Sequence, residues 1–116
     1  MSNELVLNFA GGASLSTEEI DCTGADKPIG LIFASGYNTT NCTFAMFDQA
    51  GNEYSIQDLD GAELEFTVSQ TVAKYFPLNP QIFAGINKMK VRRGTQATPF
   101  TTGAEDSVIK IIRREY

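Results

Sequence analysis

Residues 88–93 of the chain read KMKVRR, and basic and apolar side chains alternate from Lys88 to Arg92. Neighbouring side chains of a β-strand point to opposite faces of its sheet, so this period of two predicts a half-buried strand. Residues 63–69, which read ELEFTVS, show the same alternation. Two separate segments with this period favour an all-β fold over a helical one.

Further strands are predicted outward from these two segments. Short apolar or alternating runs occupy residues 5–9, 14–20, 29–34, 43–48, 53–57 and 108–114, and residues 49–52 supply the Gly and Asn that a tight hairpin needs. A short helix is predicted near residues 80–84, because Asn79 can cap it, Pro80 suits its first position and Gly85 can end it. About eight strands predict one antiparallel β-sandwich domain, jelly-roll-like, over residues 1–116, with residues 1–12 as an extended N-terminal arm.

The composition argues against most kinds of active site. The sequence has no histidine, which removes Ser-His-Asp catalysis and histidine-ligated zinc. Cys22 and Cys42 form no CxxC motif; they either pair as a disulfide or act as small, half-buried apolar residues, and we favour the second. Residues 58–61, DLDG, lack the remaining ligands of a calcium loop and are interpreted as an acidic turn. We therefore expect no enzymatic activity, no metal and no cofactor.

Charge is unevenly distributed along the chain. Residues 1–73 contain eleven acidic residues and one basic residue, whereas residues 74–116 contain eight basic and three acidic residues, and the net charge is -5. An acidic total argues against direct nucleic-acid binding. The bases cluster in residues 88–93 and 110–114, which indicates either the solvated faces of two strands or a basic stripe that meets an acidic partner. Without an 18-residue apolar run or a basic leader we also expect no membrane span and no secretory signal.

The segment from Lys74 to Arg114 resembles a family of small structural proteins of tailed bacteriophages. The resemblance is carried by KYFPLNP at 74–80, FAG at 83–85, KVRRGT at 90–95, Pro99 and an apolar strand that ends in Arg113, with TF at 43–44 and the GNE turn at 51–53 upstream. It implies a non-enzymatic virion protein of the capsid decoration (cement) type, made in the host cytoplasm. Such a protein binds the major capsid protein on the capsid exterior and bridges its subunits.

The same resemblance implies a homo-oligomer, with a trimer favoured, and contacts made by three regions. These regions are the N-terminal arm, the basic stripe and the loop that ends at residue 100. Two other functions stay open: a tail, neck or head-fibre component, and a carbohydrate-binding module for host adhesion. Tyr37 and Tyr54 are the predicted exposed rings for the latter, although the lack of Trp weakens it. The predicted contact residues are Ser2, Asn3, Glu4, Lys88, Lys90, Arg92, Arg93, Thr95 and Phe100.

Overall fold

Strands dominate the computed structural model, which describes residues 3–34, 41–68, 72–99 and 109–115. Nine strands and one short helix lie in these residues, so the predicted all-β class is confirmed. In chain order they are β1 (Asn3–Leu7), β2 (Ile20–Asp21), β3 (Asp26–Phe33), β4 (Asn41–Phe47), β5 (Glu53–Ser55), β6 (Glu65–Thr67), β7 (Lys74–Pro77), α1 (Pro80–Phe83), β8 (Lys88–Arg93) and β9 (Ile109–Glu115).

The first sheet, sheet A, has four antiparallel strands in the order β1-β9-β3-β7. Strand β9 pairs with β1 on one side and with β3 on the other, which places Leu7, Ile109 and Phe33 in one row across the sheet. All three side chains are fully buried. The predicted central strand in residues 29–34 is therefore confirmed, because β3 lies between β9 and β7.

The second sheet, sheet B, has five strands: β2-β8-β4-β5, with β6 also paired to β4. Strands β8 and β4 pair with Val91 opposite Phe44 and Met89 opposite Met46. Met89 and Val91 are fully buried, as the alternation in residues 88–93 predicted. Phe66 of β6 and Val68 just after it are also buried, as predicted from residues 63–69.

The two sheets pack face to face and enclose one apolar core. Phe76 of sheet A and Phe66 of sheet B are in contact, with ring centroids 5.1 Å apart. Cys22 and Cys42 belong to this core, so both are more deeply buried than the half-buried thiols we expected. The two thiols are not joined by a disulfide. Burial raises the pKa of the Cys22 thiol to about 11, which leaves it protonated and weakly nucleophilic at neutral pH.

The predicted helix is confirmed at Pro80–Phe83. The Asn79 side chain accepts a hydrogen bond from the backbone N–H of Gln81 at 3.0 Å, which caps the first turn. Phe83 anchors the helix to the core, where its ring meets that of Phe44 edge to face at 5.5 Å. Across the ranges that the structure describes, no helix has the length and apolar character needed to cross a membrane.

Two expectations need correction, and one strand was not predicted. Residues 3–7 are not a free arm, because they form β1 and pair with β9. Residues 14–20 do not form a strand of that length: Leu15 makes one isolated bridge to Arg92, and β2 starts only at Ile20. Strand β7 was not predicted, because its sequence KYFP alternates weakly and contains a proline. The structure tolerates that proline because β7 lies at the edge of sheet A.

Candidate interaction surfaces

The basic residues of β8 do not form one exposed stripe. Lys88, Lys90 and Arg92 all point to the outer face of sheet B, while Arg93 has the inward parity of Met89 and Val91. Lys88 is exposed and Lys90 is half-buried. Arg92 and Arg93 retain only 2% and 0% of their accessible surface. The structure therefore leaves neither arginine side chain exposed for the predicted partner contact.

Arg92 is enclosed by side chains of neighbouring elements. Its Nη2 donates to Glu53 Oε2 at 2.6 Å and its Nη1 to Glu63 Oε2 at 3.2 Å. Thr43 Oγ1 lies 3.5 Å from Nη1 and itself donates to the carbonyl of Gly94 at 2.9 Å. A buried guanidinium needs such paired and hydrogen-bonded surroundings. Arg92 thus links β4, β5, β8 and the segment before β6.

Arg93 organises the connection between β1 and β2. Its guanidinium lies 4.7 Å from the centroid of the Phe9 ring, within the range of a cation–π contact. Its Nε donates to the carbonyl of Ala13 at 3.1 Å, its Nη2 donates to the same carbonyl, and its backbone N–H donates to Ser14 O at 2.7 Å. This arginine therefore holds an irregular segment against the end of the sandwich.

Glu18 closes the same connection from the other side. Its Oε1 accepts the backbone N–H of Asn8 at 2.6 Å, and the Asn8 carbonyl accepts the N–H of Thr17 at 2.8 Å. Burial alone would raise the pKa of Glu18, but hydrogen bonds, foremost from the Asn8 backbone, outweigh it and lower the pKa. Apart from the single bridge of Leu15 to Arg92, residues 8–18 are fixed by polar contacts, which explains why the predicted strand over 14–20 is largely absent.

The other predicted contact residues are scattered. Asn3 and Glu4 lie in β1 on sheet A, far in sequence and on a different sheet from β8. Thr95 lies in a turn, where its Oγ1 accepts the backbone N–H of Thr98 at 3.0 Å. Ser2 and Phe100 lie outside the described residues. The structure therefore does not bring those members of the predicted set that it describes together into one site.

Lys88 and Lys90 keep an outward position at one end of sheet B. The Lys90 ammonium lies 6.0 Å from the centroid of the Phe47 ring, and Lys88 pairs across the ladder with Phe47. A cleft of about 380 Å³ opens beside them. We call this region the lysine cleft; its lining residues are Glu19, Phe47, Asp48, Gln49, Gly51, Asn87 and Lys88.

One wall of the lysine cleft is the β4–β5 turn, which the sequence predicted as a hairpin. Asp48 Oδ1 accepts the backbone N–H groups of Ala50 and Asn52 at 3.0 and 2.8 Å, and Gly51 has a φ of 87°. The Asn52 backbone N–H is the main cause that lowers the pKa of Asp48. Tyr54, predicted to be exposed, is exposed and donates its hydroxyl to Asp48 Oδ2 at 3.1 Å. Tyr37, the other predicted exposed ring, lies outside the described residues.

The acidic sequence DLDG is a turn of the same kind. Asp58 Oδ1 accepts the backbone N–H groups of Asp60 and Ala62 at 2.9 and 3.1 Å, and Gly61 has a φ of 90°. The Asp58 carboxylate is thus used to close the turn. Within the described part of the chain, no three His, Cys, Asp or Glu side chains cluster closely enough to hold a metal ion.

Sequence reasoning missed the outer face of sheet A. Pairing across the four strands aligns Val6, Lys110, Ile32 and Tyr75 in one row. The next row in the same parity contains Glu4, Ile112, Gly30 and Pro77. We call these two rows the sheet A patch.

The sheet A patch combines apolar side chains with one acidic and one basic side chain. Val6 and Tyr75 are 42% and 54% exposed. Its two charged side chains form an ion pair, with Lys110 Nζ 3.5 Å from Glu4 Oε1. A contiguous exposed apolar area, more than a single exposed residue, indicates an interaction surface.

A glycine shapes one end of the patch. A Cβ atom added to Gly30 would lie 2.6 Å from Cε1 and the hydroxyl oxygen of Tyr75, so the ring lies flat against the bare backbone of β3. Only glycine permits this close approach. Lys110 and Ile112 are two residues apart, so the sequence alone places them on one face of a strand. Only the strand order of sheet A shows which other side chains share that face.

The fold and these surfaces define a small antiparallel β-sandwich with two distinct outer faces. No family model and no curated protein matches the chain. Among solved structures, the chain is similar to the SPBc2 prophage-derived protein YomS, at 15% sequence identity and a TM-score of 0.50. The alignment covers 98% of this chain and 96% of that one, so the likeness extends over the whole sandwich and shows the shared fold.

Proposed function

We propose that this chain is a non-enzymatic bacteriophage virion protein that decorates the outside of the capsid and bridges neighbouring copies of the major capsid protein. The observation that carries the phage origin is the fold similarity to a prophage-derived protein along nearly the full length of both chains. The family resemblance of residues 43–114 points in the same direction and adds the decoration role. We further propose that the protein is made in the host cytoplasm and is then located on the exterior of the capsid.

The use of charged side chains supports a binding role over a catalytic one. The deeply buried charges, Arg92 and Arg93, are engaged in holding strands and loops together. Asp48 and Asp58 close turns with their carboxylates. The described surface also offers a partner apolar area and outward lysines, among them Lys88 and Lys90, which suits a structural protein that binds another protein.

We assign the capsid contact to the lysine cleft. Lys88 lines it together with the carboxylates of Glu19 and Asp48, and Lys90 lies over the ring of Phe47, which provides apolar surface within it. A concave site of about 380 Å³ fits a projecting loop or side chain of a capsid subunit, and acidic groups on that loop would pair with the lysines. A protein that binds only the assembled shell stabilises that shell by mass action, because opening it must also break these contacts.

The test measures how many copies bind to purified phage heads that lack this protein. The test variant is Lys88→Glu with Lys90→Glu. The matched control is Lys74→Glu with Arg114→Glu, which makes the same change in net charge on sheet A. Arg92 is left intact, since a third carboxylate beside Glu53 and Glu63 would disrupt the fold rather than the contact.

We expect wild type and the control to occupy the heads fully and the test variant to lose at least tenfold in affinity while its unfolding curve is unchanged. Equal occupancy by the test variant would remove the lysine cleft as the contact. Binding of the wild type to tails or to host polysaccharide, and not to heads, would overturn the decoration role in favour of a tail component or an adhesion module.

A further inference from the structure

A row of two basic side chains extends the sheet A patch. Lys27 of β3 and Arg114 of β9 pair directly across the ladder, one row beyond Gly30 and Ile112. A β-bulge between Pro28 and Gly30 shifts the register, so Lys27 and Gly30 share a face although they are three residues apart. Without the bulge, the period of two would place them on opposite faces. We call Lys27 and Arg114 the basic row.

Carboxylates do not neutralise the basic row. Arg114 is exposed, and within the described residues neither Arg114 nor Lys27 forms an ion pair. The Lys27 ammonium donates one hydrogen bond, to the carbonyl of Cys22 at 2.8 Å, and it has two more N–H groups. Asp26 and Glu115, the next pair along the same strands, have the opposite parity. The basic row therefore presents positive charge to a partner.

The described outer face of sheet A is basic as a whole. The basic row, Lys110 and the single carboxylate of Glu4 give it a charge of +2, whereas the chain carries a net charge of -5. Lys110 already lies 3.5 Å from Glu4, so the basic row holds the charge that a partner can use. Apolar area lies at the other end of the face, where Val6 and Tyr75 are 42% and 54% exposed.

We propose that the outer face of sheet A binds an extended acidic segment of a second protein. Its carboxylates pair with the basic row, and its apolar side chains cover Val6, Ile112 and Tyr75. Four strands and three rows make a face about 20 Å across, and an extended chain of about six residues spans that distance. The Tyr75 ring lies against the bare backbone of Gly30, so this end of the face is flat.

The distribution of charge favours a protein segment over a nucleic acid or an anionic polysaccharide. A polyanion has a charge at every repeat and needs bases along its whole track. On this face the basic row lies at one end, and Glu4 occupies the row beside it. The net charge of -5 also repels a long polyanion. The exposed apolar side chains of Val6 and Tyr75 match apolar side chains of a protein instead.

We assign the segment to a protein other than the capsid subunit, and this assignment rests on the proposed function. The lysine cleft opens on the outer side of sheet B, and the outer faces of a two-sheet sandwich point in opposite directions. A chain held to the shell at the lysine cleft therefore presents the basic row away from the shell.

The test selects binders of the full chain from random peptides of about 12 residues, displayed in many copies per bead so that weak binding is retained. The retained peptides are then titrated against variants of the chain. Arg114→Glu reverses a charge of the basic row, and Lys88→Glu, the matched control, makes the same change at the lysine cleft. Val6→Thr with Ile112→Thr removes apolar surface and keeps β-branched side chains in the strands. Urea unfolding verifies that each variant is folded.

We expect the retained peptides to combine two or more Asp or Glu with apolar residues. At low salt, Arg114→Glu should weaken their binding about fivefold and the threonine variant about threefold, while Lys88→Glu leaves it unchanged. The proposal is overturned if no peptide is retained, if the peptides show no enrichment in acidic residues, or if Arg114→Glu weakens binding no more than Lys88→Glu.

Two further measurements separate the other occupants. If a dT oligonucleotide or dextran sulfate binds more tightly than every selected peptide and Arg114→Glu abolishes that binding, the face is a polyanion site and the proposal fails. If Arg114→Glu lowers the occupancy of phage heads, the capsid covers the face and the assignment to a second protein fails. The peptide selection uses no heads, so its failure is distinct from failure of the decoration role.

Discussion

Replacement of Arg92 by methionine removes a buried charge while keeping most of the apolar volume of the side chain. The change leaves Glu53 and Glu63 close to each other without the guanidinium that separates them. A charge-assisted hydrogen bond typically contributes about 1.5–3 kcal/mol, and loss of one partner of a buried pair costs about 3–5 kcal/mol. Glu53 and Glu63 are 39% and 22% exposed, so water compensates in part. We therefore expect a loss of about 3 kcal/mol in the free energy of unfolding.

The assay is urea unfolding followed by far-UV circular dichroism. With an m-value of roughly 1.5 kcal/mol per M, a loss of about 3 kcal/mol lowers the midpoint by about 2 M. The matched control is Lys90→Met, on the same strand and face, for which we expect a change within about 0.5 kcal/mol. If Arg92→Met were as stable as Lys90→Met, the ion-pair cluster would carry no stability and the reasoning would be refuted.

Three further predictions concern other parts of the fold. Arg93→Met should lower the unfolding midpoint and speed amide exchange in residues 8–18, because its side-chain hydrogen bonds to that segment are lost; unchanged exchange would contradict its organising role. The hydrogen bonds of its turn lower the pKa of Asp48. The stability that the Asp48 carboxylate contributes is therefore complete above the ordinary carboxyl pKa, and it is lost as the pH falls through the lowered pKa of the folded protein. Asp48→Asn should therefore flatten the acid limb of the stability–pH curve, and an identical limb would argue against the turn. Gly30→Ala should push the Tyr75 ring off the sheet at a cost of about 1 kcal/mol, seen as shifted Tyr75 ring signals in NMR spectra; unshifted signals would contradict the close approach.

The sequence predicted the strands whose alternation is strong. Met89 and Val91 are buried and Lys88 is exposed because a period of two assigns faces without knowledge of the partners. The helix at residues 80–84 was predictable because its cap and its proline act locally. Strand β7 was missed because its pairing with β3, and not its own pattern, holds it in the sheet.

The site was harder to predict than the fold because it depends on contacts distant in sequence. Lys90 and Arg92 have the same parity on β8, yet only Arg92 is covered, by glutamates 39 and 29 residues away along the chain. Nothing local to residues 88–93 distinguishes the two. The sheet A patch likewise requires the strand order β1-β9-β3-β7, which joins side chains from four separate segments.

The pairing of β1 with β9 has a consequence for how the protein is made. Asn3 lies opposite Arg113, so β1 leaves the ribosome long before the strand that pairs with it. β1 and β3 therefore lack their shared partner β9 until residues 109–115 have left the ribosome. Such long-range closure is slow. A chaperone that holds the growing polypeptide would raise the yield of folded protein without altering the finished molecule.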